Sequence, residues 1–129
     1  MAQRIVDPAE SRAWALIAAN AADDKKATDT VVLAVGEVLT ITDYFIVASG
    51  GNARQVRTIA DEVDKQLRER VGVSPLRTEG RRDLSWVLLD YGPIVVHVFS
   101  AEMRRFYDIE RLYRDVPTVA WATATPDAS

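Results

Sequence analysis

The stretch Leu84-Ser85-Trp86-Val87-Leu88-Leu89-Asp90-Tyr91-Gly92-Pro93-Ile94-Val95-Val96-His97-Val98-Phe99-Ser100 decides how this chain folds. Two β-branched and aromatic runs flank Tyr91-Gly92-Pro93, which reads as a β-hairpin. Pro93 has no amide proton to close a turn around Tyr91-Gly92. A four-residue loop, Asp90 to Pro93, keeps the same pairing parity and avoids that problem. Either way, Trp86 is expected opposite His97 and Leu88 opposite Val95. Because side chains alternate along a strand, Trp86, Leu88, Val95, His97 and Phe99 then share one face.

Upstream, Thr30 to Val35 and Tyr44 to Ser49 are short apolar runs without alternation, as in central strands covered on both sides. Gly36 to Asp43 is short enough for a loop or a single helical turn. Between the second strand and the hairpin lies the clearest helix. Asn52 and Gln55 make a capping-box-like start, Val56, Ile59, Ala60, Val63 and Leu67 form an apolar stripe, and Gly72 ends it. Pro75 to Thr78 fits a short edge strand. A first helix is expected from Pro8 to Ala22, with Asp7 as N-cap and Glu10 three residues on. A last helix is expected from Ala101 to Tyr113, capped by Ser100. The order predicts an α/β (α+β) fold, one domain with a mixed sheet flanked by helices. Residues 1–22 read as a separate N-terminal helical region, 23–119 as the domain proper and 120–129 as a flexible tail.

At 129 residues, with 48% apolar and 27% charged residues, the chain suits a single globular domain. It has no cysteine, which removes disulfides, thiolate nucleophiles and cysteine metal ligands. No apolar run approaches the roughly 20 residues of a membrane span, and the N-terminus lacks the build of a signal peptide. A cytoplasmic protein with no membrane partner is the expectation. The net charge of −3 speaks against a general nucleic-acid binder. Arginines nevertheless cluster at Arg77, Arg81 and Arg82, and again at Arg104, Arg105, Arg111 and Arg114.

Catalytic and cofactor motifs are thin. Gly50-Gly51 lacks the lysine and hydroxyl of a P-loop and the third glycine of a dinucleotide fingerprint, so a tight strand-to-helix turn is the better reading. His97 is the sole histidine, and Ser85 and Ser100 have no triad context. No cofactor or metal site is expected. A Trp and a His on one hairpin face instead combine apolar bodies with polar tips. That mixture suits either a surface a partner covers or one covered by a helix of the same chain.

Seven segments, in order, carry a family resemblance: Asp24-Lys25-Lys26-Ala27; Thr42-Asp43-Tyr44-Phe45-Ile46-Val47 into Ser49-Gly50; Arg54-Gln55-Val56; Glu79-Gly80; Trp86-Val87-Leu88-Leu89-Asp90-Tyr91-Gly92; Val95-Val96-His97-Val98-Phe99; and Arg105-Phe106-Tyr107-Asp108-Ile109-Glu110-Arg111-Leu112-Tyr113. Together they resemble the Iojap / ribosomal silencing factor family from Ala22 to Val119. The departures are modest: Gly51-Asn52-Ala53 replaces a polar pair, and Tyr113 stands where Trp is usual. The resemblance implies a nucleotidyltransferase-like topology without the catalytic acid pair, since Asp61, Glu62 and Asp64 fall on a helix and not on the next strand. No enzyme activity is therefore expected. It implies a homodimer that binds the large ribosomal subunit through its ribosomal protein fourteen, blocks joining of the small subunit and represses translation, leaving a contact with ribosomal RNA open. Carried over by position, the contact would centre on Trp86, Leu88, Asp90, Tyr91 and His97, with Glu79, Arg104, Arg105 and Tyr107 at its rim. A nucleotidyltransferase-like enzyme and an RNA-binding module using the arginine clusters are the competing classes.

Overall fold

The hairpin forms, but it closes further along the chain than its sequence suggests. In the computed structural model, which describes residues 7–122, Tyr91 N donates to Ile94 O at 2.9 Å. The turn is therefore Gly92-Pro93. Gly92 takes a φ of +97°, a conformation open to glycine, and Asp90 Oδ1 accepts from Gly92 N at 2.9 Å. Pro93 sits inside the turn, where no amide is required of it. Its carbonyl accepts from Asp43 N and Tyr44 N instead. The register moves by two residues, so Trp86 faces Phe99 and Leu88 faces His97. A shift of two preserves which face each side chain occupies, and that part of the expectation stands.

In chain order the elements are α1 (Pro8–Asp24), β1 (Thr28–Ala34), β2 (Tyr44–Gly50), α2 (Ala53–Val71), β3 (Arg77–Glu79), β4 (Trp86–Asp90), β5 (Ile94–Ser100), α3 (Ala101–Tyr107) and α4 (Ile109–Leu112). The strands form one mixed sheet in the order β1-β2-β5-β4-β3, with β2 and β5 parallel and the other pairs antiparallel. The parallel pair is joined by a crossover that contains α2, which packs on the sheet as such connections require.

One face of the sheet is closed by α1 and α2. Val32, Ile46, Ala48, Val87, Leu89, Val96 and Val98 point into it and meet Trp14, Ala18 and Ala22 from α1. From α2 come Val56, Ile59, Ala60, Val63 and Leu67, the stripe read from the sequence. Asn52 Oδ1 accepts from Gln55 N at 2.8 Å, and Gln55 Oε1 accepts in return from Gly51 N at 2.7 Å. Gly72 ends the helix at φ +71°. The Gln55 side chain already occupies the Gly51 amide of the Gly50-Gly51 turn. A Cβ at Gly50 would lie 2.9 Å from Val56 N, so that glycine is required by close packing.

On the opposite face Leu33, Val35, Phe45, Val47 and Phe99 are covered more thinly, by Ile109 with Met103, Tyr113 and Val116. The last helix is not continuous. Asp108 adopts φ +47° and splits it into α3 and α4, while Ser100 caps the first piece as expected, its Oγ accepting from Met103 N.

The chain then returns to β1. Ala34 N donates to Pro117 O, Val119 N to Val32 O, and Leu33 bridges Thr118. Trp121, placed in the flexible tail by its sequence, is held instead. Its indole Nε1 donates to Thr30 O at 3.0 Å and its carbonyl accepts from Asn20 Nδ2 at 2.9 Å. Residues 123–129 of that tail, and residues 1–6, lie outside the described residues.

Candidate functional site

Residues 86, 88 and 90 of β4 project to the thinly covered face, and Val87, Leu89 and Tyr91 to the helix-covered one. This alternation sorts the residues expected to meet a partner. Trp86 and Leu88 remain half-buried at the margin of the sheet. Trp86 lies over Phe99 with ring centroids 4.9 Å apart and against Tyr107 at 4.5 Å. Its Nε1 donates to His97 Nδ1 at 3.2 Å. Glu79, on β3, stands directly across from Leu88.

Four of the expected residues, Glu79, Trp86, Leu88 and Tyr107, line one surface cavity of about 290 Å³. Gly80, Asp83, Ser85 and Met103 complete it. Its floor is apolar, and Glu79 and Asp83 put carboxylates on its rim. Met103 is one helical turn before Tyr107 and so shares its face, a spacing that could have named it from the sequence. Gly80 has a stricter role. Its φ is +86°, and a Cβ there would come within 1.9 Å of Trp86 O. The turn carrying Glu79 therefore lies directly on the Trp86 backbone.

The other expected residues are not part of this surface in the same way. Tyr91 faces the helix-covered core and is buried. Burial, and after it the nearby Asp64 carboxylate, push its phenol above the ordinary range. His97 is on the expected face but only 4% exposed, packed by Phe45 at 4.7 Å as well as by Trp86. Burial lowers its pKa to about 4, so the ring is neutral. With Nδ1 accepting from the indole, the proton resides on Nε2. His97 thus supports Trp86 from beneath. Asp90 is half-exposed but engaged, by Gly92 N and by Arg77 at 3.6 Å.

Arg104 and Arg105 separate completely. Arg104 is a clamp: Nε and Nη2 grip the Glu110 carboxylate at 3.1 and 2.6 Å, Nη1 donates to Ser49 Oγ at 2.7 Å, and Nη2 reaches Asp29 O. Asp29 is held at φ +53° within an irregularity of β1, which aims its carbonyl. Burial alone would raise the Glu110 pKa, but the Arg104 hydrogen bonds and charge outweigh it and the net shift is downward. Arg105 is exposed. The Asp61, Glu62 and Asp64 side chains lie on α2 and engage Arg81, Gln66 and Arg68 respectively.

The family model described as "Ribosomal silencing factor during starvation" matches residues 8–129. The chain is 42% identical over 103 residues to "Ribosomal silencing factor RsfS" of Halalkalibacterium halodurans, covering 80% of this chain and 87% of that protein. It is 40% identical over 101 residues to the protein of the same name from Bacillus subtilis, covering 78% and 85%. Its fold matches the X-ray structure of a protein from Chromobacterium violaceum with a TM-score of 0.76 at 31% identity, over 95% of this chain and 98% of that one.

Proposed function

This chain belongs to the ribosomal silencing factor family, and from that premise we propose that it binds the large ribosomal subunit through ribosomal protein fourteen and keeps the small subunit from joining. The observation that carries the proposal is the convergence of Glu79, Trp86, Leu88 and Tyr107 on one cavity. An apolar floor with an aromatic wall and a charged rim is the composition of a protein-recognition hot spot. Such an interface requires no chemistry. A patch of roughly 800 Å² per partner, centred on Trp86, is enough to occlude the surface a second subunit needs. Translation falls because joined ribosomes do not form, and the site of action is the cytoplasm.

The acidic rim gives the contact a polarity. Glu79 and Asp83 favour a partner surface bearing lysines and arginines and disfavour bare phosphate. In the absence of the ribosome, a homodimer is the expected state.

Co-sedimentation of the purified protein with separated large and small subunits tests the proposal. Association with large subunits alone, together with reduced formation of joined ribosomes in vitro, is the expected result. Equal binding to small subunits, or undiminished joining at saturating protein, overturns it. Light scattering at micromolar concentration should report about twice the 14.3 kDa chain mass. A monomer throughout the accessible range overturns the dimer.

A further inference from the structure

We propose that α3 and α4 carry a second contact, for the phosphate backbone of ribosomal RNA, made by Arg105, Arg111 and Arg114 beside the protein-binding cavity. The four-arginine cluster of the sequence is divided by the fold. Arg104 is consumed by Glu110, Ser49 and Asp29. Arg105, Arg111 and Arg114 are exposed, and their side chains form no ion pair or hydrogen bond among the described residues. All three line one open cavity of about 680 Å³, together with Phe106 and Tyr107. Phe106 is 72% exposed, an unusual position for a phenylalanine unless something covers it.

The chemistry of this group selects RNA over a protein surface. Guanidinium forks match phosphate oxygens bidentately, and an exposed aromatic ring offers a stacking platform to an unpaired base. Asp108 and Asp115 line the same cavity and hold its total charge down. It is therefore a weak binder of free RNA and a useful one only when a neighbouring contact holds it in place. That neighbour exists: Tyr107 belongs to both cavities. The carboxylates of the first rim and the free arginines of the second make the two sites electrostatically opposite. A surface where a basic protein abuts RNA satisfies both at once. The inference rests on the large-subunit reading for that placement.

The test is the salt dependence of binding, measured on isolated large subunits, on purified ribosomal protein fourteen, and on RNA stripped of protein from the same subunits. The variant replaces Arg105, Arg111 and Arg114 with Gln. On subunits it should bind roughly tenfold more weakly near 0.1 M salt, with the slope of log affinity against log salt shallower by about 2, since each phosphate contact contributes roughly 0.7–0.9. Binding of Arg111→Gln, which lies outside the expected protein contact, to ribosomal protein fourteen alone should be unchanged. Arg111→Gln alone should reduce the slope by a little under one, and substitutes for the triple variant if that folds poorly. An unchanged slope on subunits overturns the RNA contact and leaves the proposed function standing. Loss of binding to ribosomal protein fourteen by Arg111→Gln reassigns the arginines to protein and also overturns it. If the unaltered protein ignores subunits, the proposed function falls and the stripped RNA decides. Arginine-dependent, salt-sensitive binding there keeps the RNA contact, and its absence removes both.

Discussion

The two faces of the sheet are made from the same strands and differ in what covers them. Under α1 and α2 every strand residue from Val87 to Val98 that points inward is buried by long helices with matched apolar stripes. On the reverse face two short helices, interrupted at Asp108, cover β2 and β5 but leave Trp86 and Leu88 of β4 only half-covered. The first face is a core that holds the fold. The second is an aromatic layer, Phe45, His97, Phe99, Trp86 and Tyr107 in sequence across the sheet, that passes from core to surface. On the proposed function, stability and recognition are separated by strand alternation, with adjacent residues of one strand assigned to different tasks.

The two faces differ most at Leu89. It is fully buried beneath the helices, and Leu89→Ala should cost about 2–5 kcal/mol of folding stability, read by chemical denaturation. A loss below 1 kcal/mol there would mean the helix-covered face is not the principal core.

Acid probes the other face. The neutral His97 has a pKa near 4 in the folded chain against 6.5 when unfolded. Between these values the unfolded state binds more protons, so the stabilisation is complete above about pH 6.5 and is lost as the pH falls toward 4. The full loss is on the order of 3 kcal/mol. His97→Gln should flatten that part of the profile. An equally steep profile in the variant would place the acid sensitivity elsewhere.

Trp86 sharpens the comparison, because it belongs to both regimes. Trp86→Ala should weaken large-subunit binding by about 2 kcal/mol, roughly thirtyfold. Its partial burial and its bond to His97 add a loss of folding stability smaller than that at Leu89. Normal subunit binding by a folded Trp86→Ala protein would remove it as the anchor.

The smallest effect is expected next door to the largest. Leu88→Ala should change folding stability by less than about 1 kcal/mol while weakening subunit binding several-fold. If Leu88 and Leu89 prove equally costly to the fold, the division of labour along β4 is wrong.

Much of this arrangement was legible in the sequence, for identifiable reasons. The α2 stripe, its Asn52 and Gly72 caps and the pairing of β4 with β5 follow from local periodicity and turn chemistry, which act within a few residues. The register did not, because Pro93 is compatible with two turns and the interactions on its carbonyl, from Asp43 N and Tyr44 N, come from about 50 residues away. The break at Asp108 was hidden by continuous helical periodicity through Leu112. At the site, Glu79, Trp86, Leu88 and Tyr107 lie together on one cavity. Tyr91 was misplaced because family position says nothing of which side of a strand a residue occupies. Arg104 was misplaced because its partners Ser49 and Asp29 are 55 and 75 residues distant.

The return of residues 117–119 to β1 bears on how this protein behaves when crowded. A sheet propagates into a fibre only if each copy offers two free edges, one to accept a strand and one to donate. Here the chain's own backbone occupies part of the β1 edge through Pro117 and Val119, and Trp121 pins that cover to Thr30. The β3 edge is three residues long and bears Arg77 and Glu79. Both edges are thus blunted, one by the chain's own return and the other by length and charge. The C-terminal segment acts as an edge guard, and its removal would leave the β1 backbone open to a strand from another chain.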